Sequence, residues 1–311
     1  MVFNQTNGEM QLSDLIDLMD PGKVFNEVKL IVRRDYPSFD VKRLKAVFKD
    51  TVKLYNGDFP GYRECNTEYH DLTHTLDTFL TLIRLINGYN HMEDHLPEES
   101  VFLGLTSALL HDSGYIQTVD DKTGTGAKYT LQHIARSIDF LGIYFSEHGF
   151  SDDEQLFCTN CILCTNINTK MDEMNFGSRA EEIIGKMLGI ADLLGKMADR
   201  NYLEKLILLY MEFLEGKVKG FENELDLLNK TIGFFQFTRS RFANDMGNYD
   251  KYMIHHFNIR WKIEEDLYNK AIEKNIQYLS YLMDNKREDY HRYLRRDNIH
   301  VLLSDEGAIH A

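Results

Sequence analysis

A chain of 311 residues with 43% hydrophobic and 27% charged residues has the composition of an ordinary globular protein and enough length for a sizeable core. Its net charge of −14 argues against general binding to nucleic-acid polymers or anionic membranes, both of which select basic surfaces. No apolar run reaches the roughly 18 residues that a membrane span needs, so none is expected. The opening residues, Met1 to Asn7, lack a basic start and an apolar stretch, so no signal peptide is expected and a cytoplasmic location is the default.

Only 4 prolines occur and none follows Pro97, so the remainder reads as helix and the expected fold class is all-α. Ser13 is a cap for a short helix through Leu18, and Asp20-Pro21-Gly22 reads as a turn. Apolar spacing predicts helices over Val24 to Arg33 and Val41 to Leu54. Together these form an N-terminal cover, residues 1–60. Asn56 to Gly61 is a loop. A helix from His70 to Ile86 would place His70 and His74 one turn apart on one face, and Asn87-Gly88 ends it. Pro97 opens an apolar helix that closes on His111-Asp112.

Residues 113–129 form a loop with Lys122, Gly124, Gly126 and Lys128. Beside a charged centre such a loop can receive a phosphate; the alternative is a solvated loop. Thr130 caps a helix carrying His133, Arg136 and Ser137. Ser151 caps another, Asp152 to Asn168, which holds Cys158, Cys161 and Cys164. That spacing fits a metal or iron–sulfur site, or three small apolar residues along one buried flank. A rigid helix suits cluster ligation poorly, so the second reading leads. Ser178 or Arg179 starts the helix bearing Asp192, with Lys196 at i+4 and Arg200 at i+8.

Beyond residue 200, helices are expected over Tyr202 to Leu214 and Leu225 to Phe242. Phe234, Phe235, Phe237 and Phe242 form an aromatic stripe assigned to the core. Tyr252 to Leu282 reads as one long helix, which packs on the core or forms a homodimer seam. The segment from His291 to Arg296 is a solvated basic face. Residues 61–205 thus form a core, and 206–311 a helical extension packed on it.

The chemistry concentrates in three places: Tyr69-His70-Asp71-Leu72-Thr73-His74, His111-Asp112, and Asp192 within Gly189-Ile190-Ala191-Asp192-Leu193-Leu194. An ionised carboxylate inside an apolar helix is costly unless it is paired or bound to metal. One divalent ion held by His74, His111, Asp112 and Asp192 accounts for all four positions. Mixed imidazole and carboxylate donors suit zinc, iron, manganese or nickel, and a second ion, magnesium included, is compatible with the set.

This order of motifs resembles the HD-domain superfamily of metal-dependent phosphohydrolases across about residues 65 to 200. The first motif is similar to the cyclic-nucleotide phosphodiesterase branch, which reads Tyr-His-Asn-x-x-His. The resemblance implies a helical HD-type bundle and hydrolysis of a small phosphorylated substrate, a phosphomonoester or phosphodiester. It implies His70 as the acid that protonates the leaving oxygen, Asp112 as a bridging ligand and His133 as a ligand for a second ion. Lys122, Lys128, Arg136, Lys196 and Arg200 are candidate phosphate contacts, and Thr165 lines the pocket from a helix–loop junction. Asp71 stands where that branch has Asn, and either orients His70 or caps the helix. Tyr115 stands where its last motif has His, so the shell of a second ion must differ. Two other classes stay open: a di-iron oxygenase of the same fold, which needs further histidines beyond His133 such as His148, and a silent metal-binding regulatory module.

Overall fold

The computed structural model describes residues 10–296. Among these residues there is no strand, only an isolated bridge between Tyr62 and Thr118. The fold is an all-α bundle. Its helices are α1 (Pro21–Asp35), α2 (Val41–Tyr55), α3 (Leu72–Asn90), α4 (Glu98–Leu110), α5 (His133–His148) and α6 (Asp152–Leu163). They continue with α7 (Arg179–Ala198), α8 (Tyr202–Glu215), α9 (Glu224–Asn244), α10 (Met253–Trp261) and α11 (Leu267–Asn285).

The bundle is built around α3 and α7, which share its most extensive helix–helix contact. Nearly all of α3 from His74 onward is buried, and α4 is buried from Val101 to Leu110. Helices apolar on every side belong in the interior. Amphipathic helices cover them: α1 and α10 lie on α3, α2 on α4, and α11 on α7. A single apolar core runs from Val24 to Leu294, so the N- and C-terminal helices belong to the same packed unit as the centre.

Several local expectations change. Asp20 caps α1, its Oδ1 accepting the Lys23 N–H at 3.1 Å, so Pro21 is the first helical residue rather than part of a turn. Ser13 lies inside a single 3₁₀ turn, Leu12–Asp14. Gln132, not Thr130, precedes α5, and α6 ends at Leu163. The long C-terminal helix is two. Lys262 adopts φ 60°, which ends α10, and Asp266 accepts the Tyr268 and Asn269 N–H groups to start α11. Of the aromatic stripe only Phe242 is fully buried; Phe234 and Phe237 are exposed.

Gly88 does not end α3, which continues to Asn90. It is glycine because α10 begins against it. A Cβ there would lie 2.0 Å from the Tyr252 carbonyl oxygen. Gly88→Ala is therefore expected to lower unfolding stability by about 3 kcal/mol or more, because backbone, not a flexible side chain, must yield. Urea unfolding followed by circular dichroism measures it.

Candidate metal centre

Three helices bring four side chains to one buried point. Asp71 caps α3: its Oδ1 accepts the His74 N–H at 2.8 Å and sets His74 in the first turn. Of the two roles open to Asp71, this is the cap. His111 and Asp112 terminate α4. Asp192 comes from α7, which packs along α3. His74 Nε2 lies 3.2 Å from His111 Nε2, 3.1 Å from Asp112 Oδ2 and 3.1 Å from Asp192 Oδ1. His111 Nε2 lies 3.2 Å from Asp112 Oδ2 and 3.6 Å from Asp192 Oδ1.

Donors about 2.0–2.2 Å from a shared ion stand roughly 3.0–3.5 Å from each other in octahedral or tetrahedral arrangements, so this set has the spacing of a coordination shell. The protonation pattern agrees. His111 Nδ1 contacts the Ala108 carbonyl at 2.8 Å; a carbonyl only accepts, so Nδ1 carries the proton and Nε2 presents its lone pair to the cluster. Asp112 Oδ2 and Asp192 Oδ1 are buried and receive no well-aligned hydrogen bond, although the Lys196 ammonium lies 2.8 Å from Asp192 Oδ1. Buried carboxylate oxygens so placed are what a cation would satisfy. With protons alone, burial opposes the His111 imidazolium, yet the Asp112 and Asp192 carboxylates outweigh it and push the group up to about 10. Burial likewise opposes ionised Asp112, but His111 holds it well below the usual carboxylate range; Lys196 does the same for Asp192. A proton here substitutes for a cation. These four residues could hold a metal ion, and they are the one such group among the described residues.

A second set of rings borders the cluster. His70 sits outside α3, just before its cap, so it is not one helical turn below His74. Its ring centroid is 6.0 Å from that of His74. Its Nδ1 lies 2.6 Å from Glu212 Oε2 in α8, and Glu212 Oε1 accepts the Tyr69 N–H at 2.7 Å. Glu212 is 5% exposed. Tyr115 stacks on His70 at 4.4 Å and on His133 at 4.7 Å. His133 Nδ1 donates to the Thr130 carbonyl at 2.6 Å, and its Nε2 faces Asp112 Oδ1 at 3.8 Å. Gly114 permits this approach of α5, since a Cβ there would meet the His133 carbonyl oxygen at 2.0 Å. His133 thus stands beside Asp112 but outside the four-donor group. His148 is at the far end of α5, facing Asp50 at 3.8 Å.

The expected phosphate contacts divide. Lys196 belongs to the centre: its Nζ is 2.8 Å from Asp192 Oδ1. The others do not. Lys122 is exposed, and Lys128 is bound to Asp121 and the Thr123 carbonyl within its own loop. Arg136 donates to the Gly114 and Ile116 carbonyls and lies over the Tyr129 ring, so it braces the loop after His111-Asp112. Arg200 is exposed and accepts a hydrogen bond from Arg296 through its carbonyl. Thr165 donates to the Ile162 carbonyl just past the end of α6, and Thr165 is not among the four donors. Cys158, Cys161 and Cys164 are free thiols buried in the core, with Cys158 Sγ facing the Leu103 carbonyl.

Two residues escaped sequence reading. Glu212 carries no motif and lies 142 positions from His70. Lys205, paired with Asp199 at 2.6 Å, lines a small cavity of about 20 Å³ with Lys196, His74, Tyr69 and Asp77. Burial, reinforced by Asp199, pushes the Asp77 carboxyl up to about 6. Its folded value lies above the unfolded one, so its contribution to stability is full below about pH 4 and is lost as pH rises through 6. Asp77→Asn is therefore expected to stabilise the protein at pH 8 by on the order of 1–2 kcal/mol, discounted for residual solvent contact, and to change little at pH 4. Thermal unfolding at the two pH values checks the sign.

No described helix is long and apolar enough to cross a membrane. No family model, no curated protein and no solved structure matches the chain, so what it does is read from the geometry of this centre.

Proposed function

We propose that the protein is a metal-dependent phosphohydrolase acting on a small phosphoester. The observation that carries this reading is the convergence of His74, His111, Asp112 and Asp192 on one point, with a glutamate-held histidine beside it. A divalent ion there supplies Lewis-acid polarisation of a phosphoryl oxygen and a water of lowered pKa.

The chain's own groups do the rest. His111 is held by the Ala108 carbonyl with Nε2 toward the other three donors. Lys196 pairs with Asp192, so an ion bound by that carboxylate would leave its ammonium to attract an anion. Lys205 lines the same cavity, paired with Asp199. Glu212 would accept a hydrogen bond from Nδ1–H of His70 and so favour the imidazolium, whose Nε2–H is left to donate to the leaving oxygen, returning the neutral ring. Histidine is suited to this because its charge changes near neutrality. Tyr115 packs against both His70 and His133, whose own centroids are 6.3 Å apart, and helps hold the two ring planes. His133 beside Asp112 is placed to orient water; as ligands for a second ion, the pair would need solvent to complete the shell.

Elemental analysis of the purified protein, paired with assays on aryl phosphate and bis-aryl phosphate with added manganese, nickel or magnesium, tests this. Bound metal with chelator-sensitive hydrolysis is the expected result. Two irons without hydrolysis would favour the oxygenase, and bound metal with no hydrolysis of either ester would favour a silent module.

A further inference from the structure

A cavity of about 1010 Å³ contains none of the metal donors. It lies between the segment after α6, the first turns of α7 and the end of α9. Lys186 on its wall precedes Asp192 by six residues and Arg179 by thirteen, so at about 1.5 Å per residue it opens some 9–20 Å along α7 from the centre. A cavity of this size holds a ligand as large as a nucleotide.

Its lining mixes apolar residues, Met171, Met174 and Phe176, with the cations Lys170, Arg179, Lys186 and Arg241. The three carboxylates that also line it are Asp172, Glu182 and Asp245. Glu182 is already held by Lys186 at 2.7 Å. Lys170 is paired with Glu173 at 2.7 Å, so Arg179 and Arg241 are the lining cations without an ion pair among the described residues.

Arg241 gives the cleft its direction. It is 6% exposed, and its terminal nitrogens donate only to the carbonyls of Asn166, Ile167 and Thr169. Its Nε has no partner, and among the described residues no carboxylate forms an ion pair with it, although Asp245 of the same lining acts on it at longer range. A buried guanidinium without an ion pair is costly, and an anion in the adjoining cavity would lower that cost. Arg179 is exposed and forms no ion pair among the described residues. The start of α7, capped by Ser178, adds the positive end of a 20-residue helix.

We propose that this cleft is a second binding site, for an organic phosphate whose phosphates meet Arg179, Lys186 and the field of Arg241 and whose apolar body lies on Phe176 and the methionines. Because α7 continues to Asp192 and Lys196, its occupant sits on the element that builds the metal centre.

Isothermal titration with ATP tests it. The full-length protein is first stripped of divalent ions with chelator, so the metal centre offers no cation to the phosphates. One ATP per chain is expected, bound more tightly than inorganic triphosphate, with affinity falling as salt rises. The double variant Lys170→Glu/Arg179→Glu changes two exposed residues and is expected to weaken binding at least tenfold while keeping its circular dichroism. Asp192→Asn is expected to leave it unchanged. Absence of ATP binding, equal binding by the double variant, or loss of binding in Asp192→Asn would each overturn the proposal. The result is independent of whether the metal centre hydrolyses phosphoesters.

Discussion

Asp192→Asn is expected to leave the protein without stoichiometric metal and without chelator-sensitive hydrolysis. The carboxylate is one of two anions in the four-donor group, and its Oδ1 lies 3.1 Å from His74 Nε2. An amide keeps the shape but removes the charge that balances a divalent ion. Losing an outer-shell partner costs about 10–100-fold in metal affinity, so loss of a direct anionic donor should exceed that range. The variant also deprives Lys196, 2.8 Å away, of its partner. Breaking a buried pair costs on the order of 3–5 kcal/mol, less here because asparagine still accepts a hydrogen bond. The measurement is therefore metal content after dialysis alongside the helical circular dichroism signal. A folded variant that retains one ion per chain would exclude Asp192 as a ligand.

Glu212→Gln should separate proton transfer from metal binding. The glutamate holds His70 Nδ1 at 2.6 Å and also accepts the Tyr69 N–H, so it fixes both the ring and the backbone that carries it. Glutamine can keep the backbone contact, but it no longer stabilises a protonated ring. General acid catalysis contributes about 10²–10⁴-fold, so kcat should fall by about 100-fold with metal content and KM retained. A purely structural role would instead lower stability and metal content together. Substrates with an activated aryl leaving group need less protonation and should be affected least.

Much of the centre was legible in the sequence because its donors sit in short segments whose helical context is strong. His74, His111, Asp112 and Asp192 could be linked because a buried carboxylate or imidazole in an apolar helix needs a reason. Ser151 and Ser178 could be named as caps because a side-chain oxygen at that position satisfies free N–H groups, and Ser151 and Ser178 do so for Glu154 and Glu181. The same logic failed where loop packing chose the partner. The lysines of the loop after His111 looked like phosphate contacts by proximity in the chain, yet Lys128 is consumed by Asp121. Arg136 looked free for an anion, yet two carbonyls of the preceding loop take it. The Phe234 and Phe237 rings have core-like spacing, but α9 lies at the edge of the bundle and leaves them exposed.

By itself the sequence determined the helical class, most helix starts and the four converging donors. These follow from local terms: 3.6-residue periodicity, capping chemistry, scarcity of proline, and the cost of burying charge. Only the tertiary structure decided that Glu212 holds His70, that Lys205 joins Lys196 along the cavity beside His74, and that Arg241, without an ion pair among the described residues, borders a cleft at the other end of α7. It also decided that Gly88 is a helix crossing and not a helix end. Each of these is a contact between segments far apart in the chain. Such contacts are chosen by how whole helices pack, and no local pattern encodes which ones will meet.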